Sequence, residues 1–430
     1  MPSNALLTSS IEYGIVARSL PLTGKILSGY LDASGTRARL GTGNPNAEST
    51  PNVSASAMTS EGGTARIAWG SRVGDVLFTN APRAMEMGRR SAAAIQRCDV
   101  VDKHDGAVLD IKWDQEYVAT GGADGRVKLW NARNVSCLWT SGQVLKTITP
   151  DACVKVALSI LHGYIVAVFH SGDIHVWTGV NVGSSLSGII ENVVPNPTRT
   201  TSVGYDSDAP HNITLLDVDP SYPTPTFMVV YQNDPFFYRI QIKQQVNVTA
   251  FGDPNFGSTS VVVPFFKSDT SEQSIAFVGD HIGCISLYAW DSNRIQPTTN
   301  AVGPERKFEA VADGASITAI VWNGLTLIAG SVQGTTHVFD GITFAPLRSF
   351  PSPVPRLRVP ADHALFAERS RERQMVRRII VSPDRGVMFV GVGESIMAWY
   401  AGPVTKHTAG GIRGHHTFGM VGKKQRSGTA

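Results

Sequence analysis

Apolar and polar residues alternate in short runs along most of this chain, and Gly, Pro or Asp ends each run before it reaches helical length. The clearest stretch is 104–132. There, residues 118–120 are β-prone, Gly121-Gly122-Ala123-Asp124-Gly125 supplies Asp-Gly turn chemistry, and Val127 and Leu129 alternate with Arg126, Lys128 and Trp130. The pattern predicts a hairpin with one buried face.

Aligning the chain on the turn glycine reveals further copies at Gly74, Gly172, Gly283 and Gly334 beside Gly125. Two positions on stand Val76, Val127, Ile174, Ile285 and Thr336; four positions on stand Phe78, Leu129, Val176, Leu287 and Val338. An aromatic follows in four copies, as Trp130, Trp177, Tyr288 and Phe339, and only Thr79 departs. Successive glycines lie 51, 47, 111 and 51 residues apart, and the doubled gap predicts a worn copy, which residues 227–242 fill. A seventh copy at 377–400 would turn near Gly393. Seven four-stranded units of this length predict an all-β, seven-bladed β-propeller. The last copy offers only three strands, so β-prone residues 11–19 are expected to pair with its outer edge and close the ring.

These residues resemble the WD-repeat family from about Ala65 to Tyr400. The resemblance implies that His104, Thr120, Asp124 and Trp130 form a hydrogen-bonded set bracing their blade. Elsewhere the Asp position holds Ser171, Ile282 or Gln333, so those blades are expected to rely on packing. Residues 67–85 and 104–130 look most like fungal F-box/WD-repeat proteins. That likeness implies a substrate-recruiting propeller of an F-box-type ubiquitin ligase, with ligase subunits among its partners. No F-box is found in this chain: Gly24, Gly29, Gly35, Gly41 and Gly43 would break its helices.

Composition narrows the rest. The chain has 430 residues, 42% of them hydrophobic, and its 42 Gly and 24 Pro argue against long helices. The organisation expected is a closing strand and the start of the first blade at 1–31, then a flexible, Gly/Ser/Asn-rich insertion at 32–63. The propeller follows at 64–402, with insertions near 183–210 and 345–376, and a basic disordered tail at 403–430. A net charge of +3 is too small to make the whole molecule a nucleic-acid binder. Residues 345–378 are the exception, with eight arginines against Asp362, Glu368 and Glu372. Arg356, Arg358, Arg369, Arg371, Arg373, Arg377 and Arg378 form a candidate site for an acidic or phosphorylated peptide, RNA or acidic lipid; the alternative is a solvated loop. Asp362 would cap a short helix there.

Cys98, Cys137, Cys153 and Cys284 lack zinc spacing and read as buried thiols. No leader, membrane span, nucleotide-binding or hydrolase motif occurs, so the expected protein is a cytoplasmic or nuclear scaffold for proteins or peptides, without catalytic residues, metal or cofactor.

Overall fold

The computed structural model describes residues 5–10, 14–19, 27–31, 53–61, 64–81, 95–183, 186–198, 212–232, 234–252, 259–267, 273–296, 299–352, 374–381, 387–392 and 395–400. The chain divides into two compact units, Met1–Gln232 with Tyr238–Val248, and Asn233–Phe237 with Thr249–Ala430. Both are built of antiparallel sheets.

In the first unit, Ala5–Ser10, Gly14–Ser19 and Leu27–Leu31 form a three-stranded sheet. Both edges of Gly14–Ser19 are taken, by Ala5–Ser10 and by Leu27–Leu31. It therefore cannot supply the fourth strand of the last repeat, as the alternation at 11–19 suggested. Next come three four-stranded sheets, hereafter the first, second and third: Val53–Glu61 to Ile95–Arg97, Val108–Asp114 to Ser136–Thr140, and Cys153–Ser159 to Ile190–Val194. The fourth begins with Ile213–Val218 paired to Thr226–Tyr231.

Two segments expected as insertions hold strands. Val53–Glu61 is the first strand of the first sheet, and Ile190–Val194 is the fourth, outer-edge strand of the third. Small and polar residues conceal the first, whose partner and not its own propensity fixes the conformation, while the second, Ile-Glu-Asn-Val-Val, is masked by Gly/Ser- and Pro-containing flanks.

The second unit contains the fifth sheet (Thr259–Phe265, Ile275–Asp280, Cys284–Ala289, Arg306–Glu309) and the sixth (Ile317–Trp322, Thr326–Ser331, Thr336–Asp340, Pro346–Phe350). The seventh has three described strands, Val376–Val381, Val387–Val392 and Ser395–Tyr400. Between the third and fourth strands of the fifth sheet the chain makes an excursion in which Val302 pairs in parallel with Phe251. Trp290 stacks on Phe251 at 5.4 Å, and Phe251 on Phe237 at 5.1 Å, so this excursion is fixed by aromatic burial as well as by pairing.

Three repeated details lie beneath this architecture. Each turn glycine, Gly74, Gly125, Gly172, Gly283 and Gly334, has φ between 70° and 92°, where a side chain would be strained. Four residues before four of them stands a second glycine, Gly70, Gly121, Gly279 or Gly330. A Cβ there would strike the leading residue of the next sheet, respectively Val108, Cys153, Ile317 and Val376. Those leading residues are all fully buried.

A β-bulge follows each leading position. It falls at Val53/Ala55, Val108/Asp110, Cys153/Lys155, Ile213/Leu215, Thr259/Val261, Ile317/Ala319 and Val376/Arg378, in all seven sheets among the described residues. The extra residue bends the strand and frees a side chain. Thr318 uses this freedom to donate 2.6 Å to the Val376 carbonyl of the next sheet, and Ser260 donates likewise to that of Ile317. Within each unit, first strands of successive sheets lie side by side. Asp110 and Asp114 bridge two of them, accepting the Val156 and Ile160 amides at 3.0 and 2.6 Å.

Candidate interaction face

Four side chains meet at one end of the second sheet, all of them buried: His104, Thr120, Asp124 and Trp130. Thr120 lies within the strand Tyr117–Gly122 with its side chain buried, Trp130 comes from the neighbouring strand, Asp124 from the tight turn, and His104 from the preceding connection. His104 Nδ1 lies 3.0 Å from Asp124 Oδ1, His104 Nε2 lies 2.7 Å from Thr120 Oγ1, and Trp130 Nε1 lies 2.9 Å from the same hydroxyl.

Donor chemistry fixes the direction of each bond. Indole only donates and a carboxylate only accepts, so Trp130 donates to Thr120, the Thr120 hydroxyl donates to His104 Nε2, and His104 Nδ1–H donates to Asp124. Every polar atom is satisfied, which matters where water is excluded.

Asp124 also accepts the Asp105 amide at 3.0 Å and the Arg126 amide at 3.1 Å. Burial pushes its carboxyl pKa up, but the His104 bond and these two amides outweigh that and hold it below the ordinary carboxylate range. Gly122 provides the space: a Cβ there would run into both Asp124 and His104.

The worn repeats are not left to packing alone. In three more turns the amide following the turn glycine still receives a side-chain oxygen. Asp75 N donates to Ser71 at 3.0 Å, Asp173 N to Ser171 at 3.2 Å, and Cys284 N to Asp280 at 2.8 Å. Ser71 and Asp280 stand three residues before the glycine, the position that Gly122 keeps empty. A Ser or Asp at that offset was the signal in the sequence that alignment on the Asp124 position alone passes over.

In the first unit, turns and connections of successive sheets are joined by backbone hydrogen bonds. His104 N donates to Gly74 O, Ala123 N to Ala107 O, Val144 N to Gly125 O and His170 N to Ala152 O, at 2.8 to 3.0 Å. Turn and connection thus alternate without a break across three sheets. Outward from this backbone framework stand Val73, Val100, Val101, Leu145 and Ile148; Val101 is 88% and Ile148 91% exposed. Ile148 belongs to a small hairpin, Leu145–Lys146 with Thr149–Pro150, whose turn holds Thr147 at φ 61°. That value is unfavourable for a β-branched residue, and the Val144 amide bonds hold the hairpin base against the second-sheet turn.

Of the arginine cluster, Arg377 and Arg378 are exposed on the first strand of the seventh sheet. Arg356, Arg358, Arg369, Arg371 and Arg373, the capped helix after Asp362, the Gly393 turn and the tail lie outside the described residues. Cys98 and Cys153 are buried, while Cys137 and Cys284 are half-buried. Among the described residues no three His, Cys, Asp or Glu side chains gather in a metal-binding group, and no helix is long and apolar enough to cross a membrane.

No family model and no curated protein matches the sequence. Solved structures do. The chain is similar to the computationally designed Ika8 protein, at 15% identity and a TM-score of 0.52, over 92% of this chain and 93% of that one. It also aligns with U3-55K, at 14% identity over 80% and 88% of the two chains with a TM-score of 0.45. With the WD40 repeats of RRP9 the values are 12%, 80%, 87% and 0.47. At such identities the likeness to the designed protein speaks for the fold alone: a chain of repeated antiparallel sheets, shared along nearly its whole length.

Proposed function

We propose that the chain is a WD-repeat β-propeller whose seven repeated sheets close around a common axis, and that it serves as a protein-interaction scaffold. The observation that carries this reading is the hydrogen-bonded turn surface of the first unit, a rigid support from which Val100, Val101 and Ile148 project unpaired with any core. Scattered exposed apolar residues are ordinary, but several on one braced surface mark a place where another protein is received. The bulge that recurs in seven sheets and the glycine pair that recurs in four support the ring.

Purification of the intact tagged chain with its associated proteins tests the scaffold. A stoichiometric protein partner is expected, and the triple variant Val100→Asp, Val101→Asp, Ile148→Asp loses it while melting as the parent does. A chain that purifies alone, or a variant that keeps its partners, removes the reading. End-on particle images test the ring, with two separate lobes as the contrary result.

The finer form of the proposal is recruitment of substrates to an F-box-type ubiquitin ligase, supported by the resemblance of residues 67–85 and 104–130. A pull-down with the F-box-binding ligase subunit tests it, using this chain and any longer transcript; no capture by either removes it.

A further inference from the structure

Outer strands of sheets invite pairing with foreign strands unless something blocks them. Most outer strands here are blocked. That of the first sheet is three residues long and carries Arg97; that of the fifth is Arg306-Lys307-Phe308-Glu309; that of the sixth carries Pro346 and Arg348. At Phe251 the strand Val246–Gly252 is covered by Val302.

Ile190–Val194, the outer strand of the third sheet, has no such protection. It pairs with Ile174–Thr178 over five residues without a bulge, and its far side has no strand partner among the described residues. It contains no Pro, Lys or Arg, and Ile190 and Val193 are 64% and 54% exposed. Strand alternation puts Glu191 and Val193 on one face, Ile190 and Asn192 on the other. Glu191 is oriented by His175 Nδ1 at 2.6 Å. Across residues 171–198 the only charged side chains besides histidine are Asp173 and Glu191, both acidic.

We propose that Ile190–Val194 is a β-augmentation site, occupied by an extended strand of another protein that alternates apolar and basic residues. A row of backbone N–H and C=O groups at strand spacing is met by another strand, not by a helix, whose own groups are already bonded. Its apolar positions fall on the face of Ile190, and its basic positions on the face of Glu191 and Val193, where the ammonium meets the carboxylate and the lysine stem covers the valine. A second copy of this chain fits poorly: antiparallel pairing centred on Asn192 sets Glu191 against Val193 and brings both Glu191 carboxylates to one face.

This inference rests on the scaffold reading only in taking a protein as the ligand. The edge is distinct from the turn-bearing end, so either can fail alone.

The probe is a labelled acetyl-(Lys-Val)3-amide peptide added to the intact chain. Saturable binding is expected, with slowed amide exchange at 190–194. The double variant Ile190→Lys, Val193→Lys weakens it at least tenfold, and Ile148→Lys on the turn surface leaves it unchanged. Glu191→Lys, a milder change should the double variant melt early, switches preference to acetyl-(Glu-Val)3-amide. The proposal is overturned by no binding at millimolar peptide, by protection elsewhere, by no switch with Glu191→Lys, or by a dimer of the parent chain that the double lysine variant dissociates.

Discussion

The second and fifth sheets solve one problem in two ways. Each must satisfy the amide that follows its turn glycine, Arg126 N in one and Cys284 N in the other, and each uses a carboxylate. In the second sheet the carboxylate comes from inside the turn, and His104, Thr120 and Trp130 extend the bonding into the sheet. In the fifth it comes from the strand end: Asp280 accepts the Ile282 and Cys284 amides and pairs with Lys307 at 3.3 Å. The two arrangements exclude each other, because a side chain at the Gly122 position would occupy the room that the His104–Asp124 pair fills. What is preserved from sheet to sheet is the satisfied amide, not the residue that satisfies it.

The comparison can be broken most forcefully at Asp124. Asp124→Ala leaves the buried His104 N–H and two amides without an acceptor and should cost about 3 kcal/mol, read from denaturant unfolding. Gly122→Ala should cost about 2 kcal/mol by overpacking. In a His104→Ala background that cost should shrink by half or more, and a double-mutant cycle showing simple additivity would refute the exclusion. Asp280→Ala is expected to cost about 1 kcal/mol, since its turn is more open to water and no buried histidine depends on it. A loss equal to that of Asp124→Ala would make the two sheets equivalent.

Acid sharpens the contrast last and least. The folded-state pKa of Asp124 is depressed, so its contribution is present above the unfolded carboxylate value and is lost as pH falls below about 4. Thermal midpoints of the parent should therefore drop further between about pH 4 and pH 2 than those of Asp124→Asn, which cannot titrate.

The turn glycines could be read from the sequence because backbone geometry leaves them few substitutes, and the worn copy at 227–242 because spacing demanded it. The bulges could not. Their extra residues are Ser54, Leu109, Val154, Thr214, Ser260, Thr318 and Arg377. Four of them carry a hydroxyl that donates to a carbonyl of the adjacent strand, but Leu109, Val154 and Arg377 do not, so no one residue type marks the bulge. Val53–Glu61 escaped notice for a related reason: Ser, Ala, Met and Thr become a strand only through Thr64–Ser71 beside them. The four residues around Thr120 were legible through a family resemblance, whereas Ser71 and Asp280 lay two positions before the place where that resemblance directs attention.

The parallel contact at Phe251 bears on how the gene is divided for expression. A recombinant fragment opening at Thr259, the start of the fifth sheet, would retain Trp290 and Val302 yet discard Phe237 and Phe251, the surfaces on which they rest. It would present bare aromatic rings and an unmatched strand to solvent, conditions that favour inclusion bodies. A cut placed upstream of Phe236 keeps the indole, both phenyl rings and the returning strand on the same polypeptide.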